Sequence, residues 1–167
     1  MEFMIRHDSI RGWFFYEFYQ QMKKNNKMIA ITADLGYGGF DAIRDEMPDQ
    51  FLNVGASEFT GCCVAVGLAC QGFIPFYYSI TPFLLYRSFE VIRNYINREQ
   101  IPVKLIGSGR DKDYKVDGWS HDASDAKQVM DIFKNIKCYW PEKKEEIPQI
   151  VEEMIINDKP CFLSLRR

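Results

Sequence analysis

Glu58 is the residue with the clearest chemical promise. It follows Phe51-Leu52-Asn53-Val54, a short apolar run that reads as a buried strand, and a break at Gly55. Ser57 is placed to cap a helix running to about Gln71, so Glu58 falls in its first turn, just past the carboxyl end of a strand. Ligands of open α/β sheets bind at that edge. The helix behind it, Gly61-Cys62-Cys63-Val64-Ala65-Val66-Gly67-Leu68-Ala69-Cys70, carries no charge and many small residues, which predicts close packing. Taken alone, a first-turn Glu is also what the positive end of a helix favours for stability. Two other strand ends carry promising residues. Ala33-Asp34-Leu35 closes one strand, and Tyr78 precedes Phe83, Tyr86 and Phe89, spaced i, i+3 and i+6 so that they share roughly one side of a helix. A ring-lined pocket with one carboxylate suits a flat heteroaromatic ligand that both stacks and hydrogen-bonds. A plain aromatic core stripe is the structural alternative.

The elements that must position these residues alternate along the chain. A first helix is expected over residues 9–24 with Ser9 as its cap, then a strand over 27–34. Gly36, Gly38 and Gly39 give the next turn freedom for close approach of a ligand, at a spacing that does not match a dinucleotide fingerprint. A short helix at about 40–46 precedes the strand 51–55 and the helix 57–71. A third strand spans 73–80, and Pro82 opens a helix over 83–99. A fourth strand covers 102–106, and a long polar loop runs from Gly107 to His121. Helix 123–134, strand 137–140, helix 143–157 and strand 161–165 complete the pattern. Six apolar runs alternating with helices predict an α/β fold with a parallel six-stranded sheet covered by helices on both faces. The 167 residues, without linker or repeat, form one expected domain over 1–167.

Composition removes several classes of function. A net charge of -2 without a long basic run argues against a nucleic-acid partner. Five cysteines, odd in number and without a CxxC, read as small buried residues of a reducing compartment. Two histidines are too few for a His-rich metal site. Neither a signal peptide nor an apolar run of membrane-spanning length is visible, so a cytoplasmic protein is expected. The aromatic content of 15% is high enough that some rings are expected in a subunit interface.

The ordered motifs resemble one family. Gly55-Ala56-Ser57-Glu58, followed by Gly61 and the small-residue helix, is similar to the G-x-x-E segment of the transketolase pyrimidine-binding domain. The run from Phe83 to Arg93 is similar to its F-x-x-F-x-R-x-F-E-Q-I-R, one residue shorter before Arg87 and with Val91 in place of Gln. Asp117-Gly118-Trp119-Ser120-His121 resembles D-G-x-T-H, and Ala33-Asp34-Leu35 matches A-D-L. The last strand, ending at Arg166-Arg167, resembles that family's terminal strand. Phe59 stands where the family usually has Gln or His.

The resemblance implies a thiamine diphosphate-binding fold of the pyrimidine type. Glu58 would hydrogen-bond the aminopyrimidine nitrogen of thiamine diphosphate and so promote proton removal from the reactive carbon. Phe83, Tyr86 and Phe89 would stack around that ring, and Leu35, beside Asp34, would hold the cofactor bent. His121 and Asp117 would face substrate hydroxyls. Arg11 and Arg166 or Arg167 would hold a sugar phosphate, with Arg110 standing in for the family's upstream histidine; arginine suits such an anion. The family's G-D-G…N diphosphate motif has no counterpart in the sequence. The resemblance therefore implies a split enzyme. A separate diphosphate-binding chain would hold Mg2+ (or Ca2+), in a heterotetramer with two sites, and this chain would be inactive alone. The substrate would be a sugar, phosphorylated or nucleotide-linked, and the reaction a two-carbon ketol transfer. A subunit of a 2-oxo acid decarboxylase or ketose-forming synthase, or a non-catalytic scaffold of the same fold, are the alternatives.

Overall fold

The computed structural model describes residues 6–167; of the domain expected over 1–167, residues 1–5 lie outside it. Among the described residues the strands are β1 (Met28–Thr32), β2 (Phe51–Asn53), β3 (Ile74–Ile80), β4 (Lys104–Ser108), β5 (Lys137–Tyr139) and β6 (Cys161–Leu165). They form one six-stranded sheet in the order β2-β1-β3-β4-β6-β5, with every pairing parallel. β1, β4 and β6 are buried along their whole length, as strands covered on both faces must be.

The helices are α1 (Ile10–Met22), α2 (Asp41–Glu46), α3 (Glu58–Cys70), α4 (Thr81–Arg87), α5 (Phe89–Val91), α6 (Ala126–Met130) and α7 (Ile147–Ile156). One core joins α1, α2 and α7 to one face of the sheet through Phe14, Phe18, Phe76, Ile43 and Met154. A second joins α3 to α6 to the other face through Cys62, Ala65, Leu84, Ile92 and Phe162. Ser9 caps α1 as expected, its hydroxyl accepting the Gly12 N–H at 3.0 Å.

Three expectations change. The helix expected over 83–99 is broken: α4 ends at Arg87, Ser88 leaves helical geometry (φ -107, ψ 12), and α5 runs on as a π-helix over Ile92–Arg98. The break turns successive rings apart. β4 begins at Lys104, because the Val103 N–H turns back to the Ile101 carbonyl at 2.8 Å instead of joining the sheet. Ser57 sits at the N-cap of α3, but its hydroxyl pairs with Thr60 Oγ1 at 2.8 Å and makes no capping bond.

Candidate active site

In a parallel sheet the crevice for a ligand opens where the strand order reverses direction, at the carboxyl ends of the two strands concerned. Here that place lies between β1 and β3, because the chain adds β2 outside β1 and then crosses back to β3. A cavity of about 510 Å3 opens there, lined among others by Arg11, Leu35, Tyr78, Ser108 and Tyr114. Arg11 Nη1 donates to Tyr114 Oη at 2.9 Å, and the Tyr114 and Ser108 hydroxyls pair at 3.0 Å. Burial pushes the Tyr78 phenol up to about 12, opposed by hydrogen bonding to Ser108 and by the Arg11 charge. The turn after β1 carries Gly36 and Gly38 at φ +83 and +77, and the ring of Phe40 leaves no room for a side chain at Gly36.

Glu58 stands at the first turn of α3, only 4% exposed. Its backbone is pinned from two sides. The Tyr77 hydroxyl donates to its carbonyl at 2.9 Å and the Ser88 hydroxyl donates to the same oxygen at 3.0 Å. Tyr77 reaches that carbonyl across Gly61, where a Cβ would lie 2.7 Å from the ring. The Glu58 carboxylate meets Arg87, whose Nη1 lies 2.8 Å from each of its oxygens. The Arg87 guanidinium in turn covers the Phe83 ring, 3.8 Å from its centroid. A buried carboxylate left unpaired is costly, and Arg87 supplies the compensating charge.

The loop expected between Gly107 and His121 packs along this edge, with two turns of 3₁₀-helix, Lys115–Asp117 and Trp119–His121. His121 reaches the edge of Phe83 (centroids 4.8 Å apart), and its Nδ1 lies 3.0 Å from Ser120 Oγ. Glu58, Arg87, Phe83 and His121 thus form one chain of contacts.

The other expected site residues are placed differently. Asp34 adopts a left-handed conformation (φ +56), and its carboxylate accepts from Tyr37 Oη at 3.1 Å and Asn53 Nδ2 at 3.3 Å. Tyr86 turns its hydroxyl to Asp125, beside the exposed Trp119. Phe89 packs on Phe133 in the second core (5.3 Å between centroids), because the break at Ser88 rotates it off the side Phe83 occupies. The three rings therefore do not form one face. Asp117 is exposed in its turn of 3₁₀-helix. Arg110 does not face the cavity. It is buried, donating to Ser164 Oγ and carbonyl, the Pro141 carbonyl and Glu142. Arg166 pairs with Asp111, Asp113 and Glu142. Arg167 lies over the ring of Tyr114, a residue of the cavity wall, 5.2 Å from its centroid.

Sequence reasoning assigned no role to Arg87, Tyr77, Ser88 or Tyr114. For Arg87 the signal was present: an arginine four residues after Phe83 on one helix lies over that ring.

The model of the transketolase pyrimidine-binding domain matches residues 10–167. A 1-deoxy-D-xylulose-5-phosphate synthase of Prochlorococcus marinus (strain MIT 9211) is 27% identical over 146 residues, covering 87% of this chain and 22% of the relative. The 6-deoxy-6-sulfo-D-fructose transketolase subunit SqwH of Clostridium sp. (strain MSTE9) is 25% identical, covering 87% and 45%. The chain thus spans less than half the length of these two relatives. A solved split-gene transketolase, described as an inactive beta4 tetramer, superimposes with a TM-score of 0.84 at 25% identity, covering 95% of this chain and 51% of its own. A transketolase from Leishmania mexicana gives a TM-score of 0.84 at 16% identity, covering 95% and 25%. With the six-stranded parallel sheet and the strand-end Glu58 in place, the chain belongs to the transketolase pyrimidine-binding domain family, a family of thiamine diphosphate-dependent enzymes.

Proposed function

We propose that this chain is the pyrimidine-binding subunit of a split, thiamine diphosphate-dependent transketolase-like enzyme of the cytoplasm. The observation that carries the reading is Glu58, a buried carboxylate at the first turn of α3, joined to the Phe83 ring through the Arg87 guanidinium. These residues fit the aminopyrimidine end of the cofactor. The carboxylate already accepts hydrogen bonds from a planar group, the Arg87 guanidinium, and the Phe83 face already stacks it, and these are the two contacts a planar ring would use.

When bound, thiamine diphosphate supplies the carbon nucleophile that takes a two-carbon ketol unit from a sugar. Glu58 would hold and exchange a proton at the pyrimidine nitrogen, on a main chain anchored by Tyr77 and Ser88. Phe83 would offer its face to the ring, Leu35 in the turn that Asp34 holds would support the cofactor, and Tyr86 would reach it only by leaving Asp125. His121 and Asp117 engage substrate hydroxyls. Arg11, with Tyr114 and Ser108, lines the cavity that takes the anionic end of the sugar, with Arg167 over the Tyr114 ring. Arg110 and Phe89 serve the fold.

The diphosphate and its Mg2+ (or Ca2+) belong, in this reading, to a separate chain, with two sites in a heterotetramer. The similarity to a chain named a transketolase subunit and to a split-gene transketolase supports an enzyme of more than one kind of chain. The 27% identity to a 1-deoxy-D-xylulose-5-phosphate synthase favours a second reading, a subunit of a ketose-forming synthase. Co-purification with a diphosphate-binding chain, followed by assay with thiamine diphosphate and Mg2+, tests the proposal. Two-carbon transfer between sugars by the complex, and none by either chain alone, is expected. Release of carbon dioxide from a 2-oxo acid would favour the second reading, and no turnover on either substrate class would overturn both.

A further inference from the structure

We infer that Arg87 occupies the pyrimidine subsite in this chain as a stand-in for the ligand, and that a cofactor ring enters only by displacing it. The inference rests on the reading of Glu58 and Phe83 given above. A flat aminopyrimidine needs two things from this site, a ring face to stack on and the Glu58 carboxylate to hydrogen-bond. The Arg87 guanidinium, itself flat, uses both at once: it lies 3.8 Å over Phe83 and places Nη1 2.8 Å from each carboxylate oxygen. A second planar group cannot take the same contacts while Arg87 holds them.

The surroundings allow the exchange. The Arg87 side chain is 49% exposed while that of Glu58 is 4% exposed, so the guanidinium lies between the carboxylate and solvent. Among the described residues its hydrogen bonds go to Glu58 alone. It sits in the last turn of α4, next to the break at Ser88. The Glu58 backbone, by contrast, is held through its carbonyl by Tyr77 and Ser88. Release of Arg87 therefore frees both carboxylate oxygens of a residue whose main chain stays anchored, and an incoming ring supplies the partner they lose. A ligand that binds only the open form has its apparent affinity reduced by the open fraction, about tenfold if one molecule in ten is open.

Thiamine binding to the full chain, followed by calorimetric titration, tests this with wild type, Arg87→Met, Arg87→Lys and the double variant Glu58→Gln/Arg87→Met. Arg87→Met keeps an apolar stem on Phe83 and removes the plane and the charge. It is expected to bind thiamine at least about tenfold more tightly than wild type. Arg87→Lys, which keeps the charge without a plane, is expected between the two, and it serves should the methionine variant fold poorly. Binding by Arg87→Met and Arg87→Lys that is equal to wild type, weaker or undetectable overturns the inference. The double variant separates it from the reading beneath: tightening that survives loss of the Glu58 carboxylate leaves Arg87 as an obstruction but removes Glu58 as the ring's partner.

Discussion

Two arginines drawn from the same resemblance end in opposite environments. Arg110 is buried with four internal acceptors, and burial lowers its pKa against the pull of Glu142. Arg11 lines the open cavity and donates to Tyr114. Arg110→Ala is expected to lower unfolding free energy by about 2–4 kcal/mol, since it strips partners from buried oxygens. Arg11→Ala is expected to change stability by less than about 1 kcal/mol and to raise the KM for an anionic sugar in the assembled enzyme. Urea denaturation and steady-state kinetics on both variants check this; a KM effect from Arg110→Ala at unchanged stability would return Arg110 to the substrate. Glu58 was legible in the sequence because its position after a strand, in a first turn, follows from chain order. Arg110 was not, because adjacency to a functional loop does not say which way a side chain points.

At the level of elements, α3 depends on contact too close for side chains. Gly61 lets Tyr77 lie against the helix, and a Cβ there would meet the ring at 2.7 Å. Gly61→Val is expected to cost about 1–3 kcal/mol by forcing Tyr77 off the Glu58 carbonyl. A denaturation midpoint equal to wild type would mean that Tyr77 relaxes freely. The same helix predicts a split among its cysteines. Cys62 is fully buried and burial pushes its thiol up to about 12, whereas Cys63 and Cys70 are exposed. Maleimide at pH 8 is therefore expected to modify Cys63 and Cys70 and spare Cys62. Because the folded pKa of Cys62 lies above its ordinary value of 9.0, the stability it contributes is complete below pH 9 and is lost as pH rises toward 12. Urea unfolding at pH 8 and 10.5 should show that loss, and Cys62→Ala should reduce it. Element type was readable throughout, since the six apolar runs became the six strands. The break at Ser88 was not readable: a serine mid-helix carries no strong local signal, and its role is a tertiary bond to Glu58. On either side of that break Phe83 meets His121 and Phe89 meets Phe133.

For the whole molecule, the parallel order β2-β1-β3-β4-β6-β5 gathers Leu35, Tyr78, Ser108 and the loop to His121 along one sheet edge, from positions far apart in sequence. No helix among the described residues is long and apolar enough to cross a membrane. Nor do the described residues include a cluster of three or more His, Cys, Asp or Glu able to hold a metal ion. The proposed division of labour gives this chain the proton-exchanging carboxylate and the ring face, and gives a second chain the diphosphate and its metal. The fold was legible because alternating strands and helices leave few topologies; the pairing of Glu58 with Arg87 was not, because it joins the start of α3 to the end of α4 across the fold. The most direct measurement is ketol transfer by the assembled complex, wild type against Glu58→Gln, with thiamine diphosphate and Mg2+ at saturation. The variant keeps shape and hydrogen-bonding capacity but cannot exchange a proton as a carboxyl group does. A fall in kcat of about 10²–10⁴-fold, with the complex still assembled, is the predicted result; turnover close to wild type would contradict the role of Glu58.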